Sequence, residues 1–471
     1  MECPLSYLLL TPSGQQAGNG GAKAAIDPDK EELTIKPSSG DTMVIPVSEI
    51  VDISGEDYKV SLSLESGEKL VLSELGYNYD DFLRILTKLR SETAQKEMLM
   101  KESEKKAPVV AYFTYSAKSG NIINKGDCTL ALLETGLIVT LANGEPLRFP
   151  YSDIAQFKEE DSALLLETED GETLRFSKMG WQFDPAKTAL SGIISALSLS
   201  TQNLLREMLP GIDQLAIRKI AALMRDGKAA RKADIEAISP KAWKGLEDKL
   251  ASAGMKKEYE FLKSVSQQDK ICIGIKRGLM GGLSGDYIWF IAPVYSLDPR
   301  KPGNAIAMEA YSLKPPEEGK TGTQQAPAAP VIRASVSPGA LYPDLQDITE
   351  SDEPLDKAGR ATYLFRITGR KEYAKAKSIG ELDAQADTLI RAVNRCMLAI
   401  NFRREPIYLD EEKLEESQYK KYRLAVRKIP ALQTLRQLFI GRVIHSSPEQ
   451  WQKDVGELLA LNTRAQDDNT K

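Results

Sequence analysis

The chain has 471 residues, 42% of them hydrophobic and 27% charged, an ordinary balance for a water-soluble globular protein. That length gives room for about three or four domains of roughly 100–150 residues each. Its 62 Lys and Arg against 67 Asp and Glu leave a net charge of −5, so no global field draws it onto nucleic acid or an anionic membrane.

Cys3, Cys128, Cys272 and Cys396 lie far apart with no CxxC pair, which argues against a zinc knuckle, a redox dithiol or a disulfide framework. The start, MECPLSYLLLTPSG, has a short apolar run with no cation before it and does not fit a secretory signal. No segment reaches the ~20 apolar residues of a membrane span. The expected location is cytoplasmic, with peripheral contact at the inner face of a membrane as the alternative.

From the N-terminus, an internal repeat organises the chain. Displaced by 104 residues, which sets Gly40 on Gly144, the stretch GDTMVIPVSEIVDISGEDYKVSLSLESGEKLVLSELGYNYD falls without a gap on GEPLRFPYSDIAQFKEEDSALLLETEDGETLRFSKMGWQFD. Matched pairs include Pro46/Pro150, Ser48/Ser152, Ile50/Ile154, Leu62/Leu166, Gly67/Gly171 and Gly76/Gly180. Tyr77/Trp181 and Tyr79/Phe183 keep aromatic character. The same frame carries back to Pro4/Pro108, so residues 4–90 and 108–194 are two copies of one unit.

Within each copy, LTIKP, MVIPVSEI, YKVSLSLES and KLVLSEL alternate with period two and are rich in β-branched residues, which predicts half-buried strands. Glu65-Ser66-Gly67-Glu68 and Glu169-Asp170-Gly171-Glu172 predict tight hairpins with a positive φ at glycine. From Asp80-Asp81 and from Asp184-Pro185 the spacing turns helical, with acids where the helix dipole favours them and proline suited to a first turn. Each copy is therefore a run of antiparallel strands closed by one helix.

That order, together with Ile45-Pro46-Val47-Ser48-Glu49-Ile50 and Phe149-Pro150-Tyr151-Ser152-Asp153-Ile154, resembles the pleckstrin-homology-like (PH-like) superfold in its bacterial PH and GRAM-type variants. The resemblance implies a bent sheet plugged by its helix and a docking role toward phosphoinositides, peptides or proteins. Lipid-binding members carry a basic cluster at the first hairpin. Here TPSGQQAGNGGAK and SAKSGNIINKG offer only Lys23, then Lys118 and Lys125, which favours protein docking.

Residues 91–107 read as a charged helical linker. A helical block occupies 200–268, in which Asp226-Gly227 is a turn and Ser239-Pro240 opens a helix through an N-cap. Its cations, among them Arg218, Lys219, Arg225, Lys228, Arg231 and Lys232, are interspersed with acids and read as a solvated face, so no nucleic-acid partner is expected. KICIGIKRG, DYIWFIAPV, NAIAMEAYSL and ATYLFRITG are the strands of a C-terminal α+β domain over 269–465. A Pro-, Gly- and acid-rich insertion at about 314–358 is expected to be disordered. Helices occupy the chain from Glu381 onward, notably LDAQADTLIRAVNRCMLAINF and QTLRQLFIGRVI.

The expected architecture is thus α+β and multidomain: PH-like domains at 1–92 and 108–198, the helical block, then the C-terminal domain. Gly278, Gly281, Gly282 and Gly285 lack a dinucleotide fingerprint and read as a flexible turn or strand kink, and Gly319-Lys320-Thr321 lacks the first glycine of a P-loop. Tyr287-Ile288-Trp289-Phe290-Ile291 reads as a buried central strand, or as an exposed docking strand if Pro293 marks an open edge. His445, the single histidine, reads as a helix-end residue.

The leading functional expectation is a non-catalytic scaffold that recruits proteins, with Tyr287, Trp289, Phe290, Lys118 and Lys125 as candidate docking residues and no catalytic residue, cofactor or metal ligand. Two alternatives stand beside it. One is an enzyme in the C-terminal domain drawing on Cys272, Cys396, Asp286 and Arg403-Arg404. The other is a peripheral membrane protein using repeat-two lysines or Arg366, Arg370, Lys371, Lys375 and Lys377 against anionic headgroups.

Overall fold

The structure, a computed structural model, describes residues 1–98, 105–277, 286–312, 360–416, 418–445 and 447–460. The glycine-dense stretch 278–285 and the expected insertion at 314–358 lie outside them. The chain divides into two compact units, Met1–Ile193 and Ile194–Lys471.

The first unit holds two seven-stranded antiparallel sheets. One is built from β1 (Glu2–Leu10), β2 (Gln16–Asp27), β3 (Glu32–Pro37), β4 (Met43–Pro46), β5 (Ile50–Glu56), β6 (Lys59–Leu64) and β7 (Lys69–Ser73), in the order β4-β3-β2-β1-β7-β6-β5. The helix α1 (Tyr79–Glu97) comes after it. The other sheet comprises β8 (Lys106–Ser116), β9 (Ile122–Leu132), β10 (Gly136–Leu141), β11 (Pro146–Pro150), β12 (Ile154–Glu160), β13 (Ala163–Thr168) and β14 (Thr173–Ser177). Its order, β11-β10-β9-β8-β14-β13-β12, repeats the first strand for strand, with α2 (Phe183–Met208) after it.

The local rules behind these elements are visible in both copies. Gly67 and Gly171 take φ +84° and +81° in the β6–β7 and β13–β14 turns, as the sequence predicts. The β5–β6 and β12–β13 hairpins turn on two residues of positive φ each, Asp57-Tyr58 and Asp161-Ser162, the conformation that matches strand twist. On α1, Phe82, Leu86 and Leu89 fall at helical spacing and bury their side chains against the sheet, each worth roughly 1.5–3 kcal/mol of apolar burial.

The gap-free frame holds only from β3 onward. Ser6 pairs with Ser73 and Tyr112 with Ser177, so the last strands correspond at 104 (177 − 73) while the first correspond at 106 (112 − 6). Pro4 is therefore equivalent to Val110, not Pro108. The connection after β2 accounts for the difference: Ile26 faces Leu33 across it, whereas Leu132 faces Leu137 in the second copy. A two-residue change preserves side-chain parity, so every inward position stays inward: Cys3/Val109, Leu5/Ala111, Ala22/Cys128, Ala24/Leu130 and Ile26/Leu132 are all buried.

The two sheets of this unit are clasped together. The buried guanidinium of Arg90 on α1 donates through Nε to Ile50 O at 2.8 Å, through Nη2 to Val51 O, and through Nη1 to Asn143 O of the β10–β11 hairpin at 3.0 Å. Asn143 Nδ2 donates to Asp52 Oδ1 at 3.0 Å. Gly144, at φ +81°, sits so close that a Cβ would lie 2.9 Å from Thr87 O on α1. The expected linker at 91–107 is in part a continuation of α1, which runs to Glu97, and Lys106 already belongs to β8.

The second unit is one six-stranded antiparallel meander with helices packed on it. Its strands, in both sheet and chain order, are β15 (Ala230–Arg231), β16 (Cys272–Arg277), β17 (Asp286–Val294), β18 (Ala305–Ser312), β19 (Ala361–Arg366) and β20 (Phe439–Ile444). Four helices, α3 (Gln214–Leu223), α4 (Lys232–Ile238), α5 (Pro240–Leu250) and α6 (Lys256–Val265), precede the long strands. After β19 come α7 (Arg370–Lys375), α8 (Ile379–Ala399), α9 (Glu405–Tyr408), α10 (Glu411–Leu414), α11 (Arg423–Lys428) and α12 (Pro430–Leu438), with α13 (Pro448–Ala460) after β20.

Ile217, Trp243, Leu246 and Tyr259 from the helices share one core with Ile273, Ile288 and Phe290 of the sheet and Trp451 of α13. The helical block expected at 200–268 is therefore not separate from the C-terminal domain; Ala230-Arg231 even supplies a strand to the sheet. Ser239 caps α5 by accepting from Ala242 N–H, as its sequence predicts. QTLRQLFIGRVI is helical only to Leu438. From Phe439 the chain is extended; Val443 and Ile444 pair with Thr362 and Ala361 of β19, Ile440 falls at a bulge, and tertiary hydrogen bonding overrides the helical pattern.

Candidate functional site

Tyr287, Trp289 and Phe290 are not a docking surface. β17 lies between β16 and β18, and the three side chains are 3%, 0% and 0% exposed. Phe290 meets the ring of Tyr259 edge-on at 5.3 Å on one face of the sheet, while Tyr287 and Trp289 pack on Phe402 on the other. Burial on both faces explains why this run lacks alternation. Trp289 Nε1 donates to Gly227 O at 2.8 Å, and Lys276 pairs with Asp226, which pins the positive-φ Asp226-Gly227 turn to the sheet. Pro293 does not make an open edge: it pairs with Ile306, lies beyond the end of β16, and its carbonyl accepts from Gln267 N–H.

Of the raw material for the enzyme alternative, Cys272, Cys396 and Arg404 are buried. Cys272 and Cys396 are fully buried, and burial pushes the Cys272 thiol up to about 12. Arg404 is buried, donates to Ala310 O and lies over the ring of Tyr363. Among the described residues no group of His, Cys, Asp and Glu could hold a metal ion. Of the cations considered for a membrane, Arg370, Lys371, Lys375 and Lys377 are exposed on and around α7, while Arg366 is half-buried and held below its usual range by burial and by Arg370.

His445 directly follows β20, not a helix. Its ring sits 3.3 Å from Glu309 Oε1 and 3.8 Å from Glu258 Oε1. Glu309, fully buried on β18, also accepts from Tyr311 at 2.7 Å and from Thr362, whose hydroxyl accepts from Trp451 Nε1 at 2.8 Å. Burial and the Glu309 carboxylate push the Tyr311 phenol up. This network closes β18, β19, β20 and α13 around a carboxylate that no solute reaches, so it is a core device. Sequence reasoning missed it because Glu309 and His445 are 136 positions apart and Glu309 sits in an otherwise apolar strand.

Solvent-facing chemistry lies instead on the first unit. Tyr77 and Trp181, equivalent residues in the turns that lead into α1 and α2, are 107% and 85% exposed. The backbone that presents them repeats too, with positive φ at Glu74 and Gly76 and at Lys178 and Gly180. The signal lies in the repeat frame, where Tyr77/Trp181 keeps aromatic character, but the frame alone does not say that both side chains face solvent.

The outward face of the second sheet adds a cationic row. Thr114 on β8 is flanked by Lys125 on β9 and Arg175 on β14. The adjacent outward residue, Tyr112, lies between Asp127 and Ser177, and Lys178 Nζ stands 4.3 Å from its ring centroid. Lys125, a candidate docking residue, is exposed within a group the sequence did not assemble. Lys118 is exposed in the β8–β9 hairpin, its stem packed on Gly171.

These features define an α+β protein of large antiparallel sheets closed by helices, compatible with the PH-like expectation. No helix among the described residues is long and apolar enough to cross a membrane. No family model matches the chain, and no curated protein does. Among solved structures it is similar to the Spt16D Pob3N heterodimer, at 16% identity over 36% of this chain and 83% of that one. The TM-score is 0.15, and a likeness at that level carries no argument.

Proposed function

We propose that the chain is a non-catalytic docking protein whose two PH-like modules, at 1–92 and 108–198, recruit protein partners. The observation that carries this reading is the pair of solvent-exposed aromatics, Tyr77 and Trp181, at one and the same position of both modules. A large aromatic held in water is an unused anchor, and such residues dominate the energetics of protein interfaces once buried. The weak cation content at the first hairpins, with Lys23 in one and Lys118 and Lys125 in the other, supports protein over phosphoinositide as the ligand.

The test is partner capture by the full tagged chain, wild type against Tyr77→Ala/Trp181→Ala. Both side chains are exposed, so the double variant keeps its thermal unfolding profile. The proposal expects captured proteins to be lost; an unchanged partner set sinks it. Flotation with acidic vesicles, released by salt, would favour the membrane alternative.

A further inference from the structure

We infer that the outward face of the second sheet, where Lys125, Arg175 and Lys178 surround Thr114 and Tyr112, is a recognition surface for an extended acidic segment of a protein partner. It rests on the docking reading for its choice of a protein ligand.

Three observations carry it. First, the cations are unspent. Among the described residues no carboxylate lies within ion-pairing distance of Lys125, Arg175 or Lys178, whereas Lys187 and Lys158 of the same module pair with Glu159 and Glu160. Second, the molecule contains its own control. At the equivalent places the first sheet has Asn19, Val71 and Glu74, and Glu74 accepts a 2.5 Å hydrogen bond from Ser6, the counterpart of Tyr112. Cation and aromatic in one copy are acid and hydroxyl in the other, on otherwise superimposable strand pairs. Third, β8, β9 and β14 are interior strands, so a partner cannot add to them through its backbone and must be read by side chains.

The geometry selects the ligand. Lys125 and Arg175 sit two strand spacings apart, ~10 Å, and Tyr112 lies ~7 Å along β8 from Thr114. Carboxylates at alternate positions of an extended peptide are also ~7 Å apart, so they reach successive cations. Asp127, beside Tyr112, is the anion on this row. A continuous anionic plane such as a bilayer would press phosphate against it, while a peptide can set a neutral side chain there.

The probe is a fluorescein-labelled peptide of alternating Glu and Val, with a Gln–Val peptide as control, titrated into the full chain by fluorescence anisotropy. Lys125→Glu/Arg175→Glu/Lys178→Glu is compared with Lys30→Glu/Lys59→Glu/Lys88→Glu, which changes net charge equally on the first module. Binding of the acidic peptide alone, weakened by salt and at least about tenfold by the first triple variant but not the second, is the expected result. No binding, or equal loss in both variants, overturns the inference. So does flotation with phosphatidylserine vesicles that the first triple variant abolishes while the peptide fails to bind. Since purified chain and synthetic peptide suffice, this outcome is separable from capture through Tyr77 and Trp181: either result can fail while the other stands.

Discussion

The two modules of the first unit share a strand order and differ in how they fill it. In the first, the closing helix supplies the aromatic, Phe82, which shares a core with Leu72 and Ile45 of the sheet and Val47 of the turn after β4. In the second, the helix offers Ala186, the sheet supplies Phe176 and Phe149 and the turn after β11 supplies Tyr151 at the matching places, with Phe113 where the first has Tyr7. Volume has moved from helix to sheet while the total needed for a dense core is retained. Outward positions show no such compensation: Glu74 and Lys178 simply diverged. Core residues constrain one another and surface residues do not, so the surface is where the two copies differ most in charge.

The comparison can be broken most forcefully at Phe82. Phe82→Ala should cost about 3–5 kcal/mol, because it empties a fully buried site in the first core. Ala186→Phe, its mirror, should overpack the second core by about 1–3 kcal/mol. Chemical denaturation of each variant reads both, and a stabilised Ala186→Phe would refute the compensation.

Arg90→Ala comes next, at about 2–3 kcal/mol, since three carbonyl acceptors at the clasp lose a charged donor. The sequence frame puts Ile194 at the matching place in the second module, so Ile194→Ala should cost less than Arg90→Ala in the same denaturation assay.

Smaller effects sharpen the picture. Gly144→Ala meets Thr87 O and a positive φ, whereas Gly40→Ala at φ +109° has open space around it. The first should cost about 1–2 kcal/mol more than the second, measured as a difference in urea midpoints.

Cys128 stands where the first module has Ala22, and burial pushes its thiol up to about 12. The folded chain holds that proton more tightly than the unfolded chain. This stability is complete below the ordinary thiol value of 9.0 and is lost as pH rises from there toward about 12. Urea midpoints across that range should fall faster for wild type than for Cys128→Ala; parallel curves would contradict the assignment. Least of all, Glu74→Lys and Lys178→Glu should each stay within about 0.5 kcal/mol of wild type, as exposed positions do.

Much of the fold is legible in the residues alone. Repeat, hairpin glycines, closing helices, and the strands from Cys272 to Arg366 come from periodicity and turn chemistry, which are local. The features that escape such a reading are non-local. The two-residue shift after β2 is hidden because the frame matches perfectly from Gly40 onward and weakly before it. Residues 439–444 look helical until β19 offers them hydrogen bonds. Tyr287-Ile288-Trp289-Phe290-Ile291 is the buried central strand its apolar run suggests, and only the alternative of an open edge at Pro293 fails, because Pro293 pairs with Ile306. Lys125, Arg175 and Lys178 come from three strands that only register brings together.

The Arg90 clasp also bears on how the polypeptide matures. Its third acceptor, Asn143 O, lies 53 residues downstream, so during synthesis the guanidinium waits roughly three to ten seconds for it at ordinary elongation rates. Until then Nη1 is left to water, and only two of the three acceptors, Ile50 O and Val51 O, are in place. The clasp between the two sheets is therefore completed only after the β10–β11 hairpin has been made.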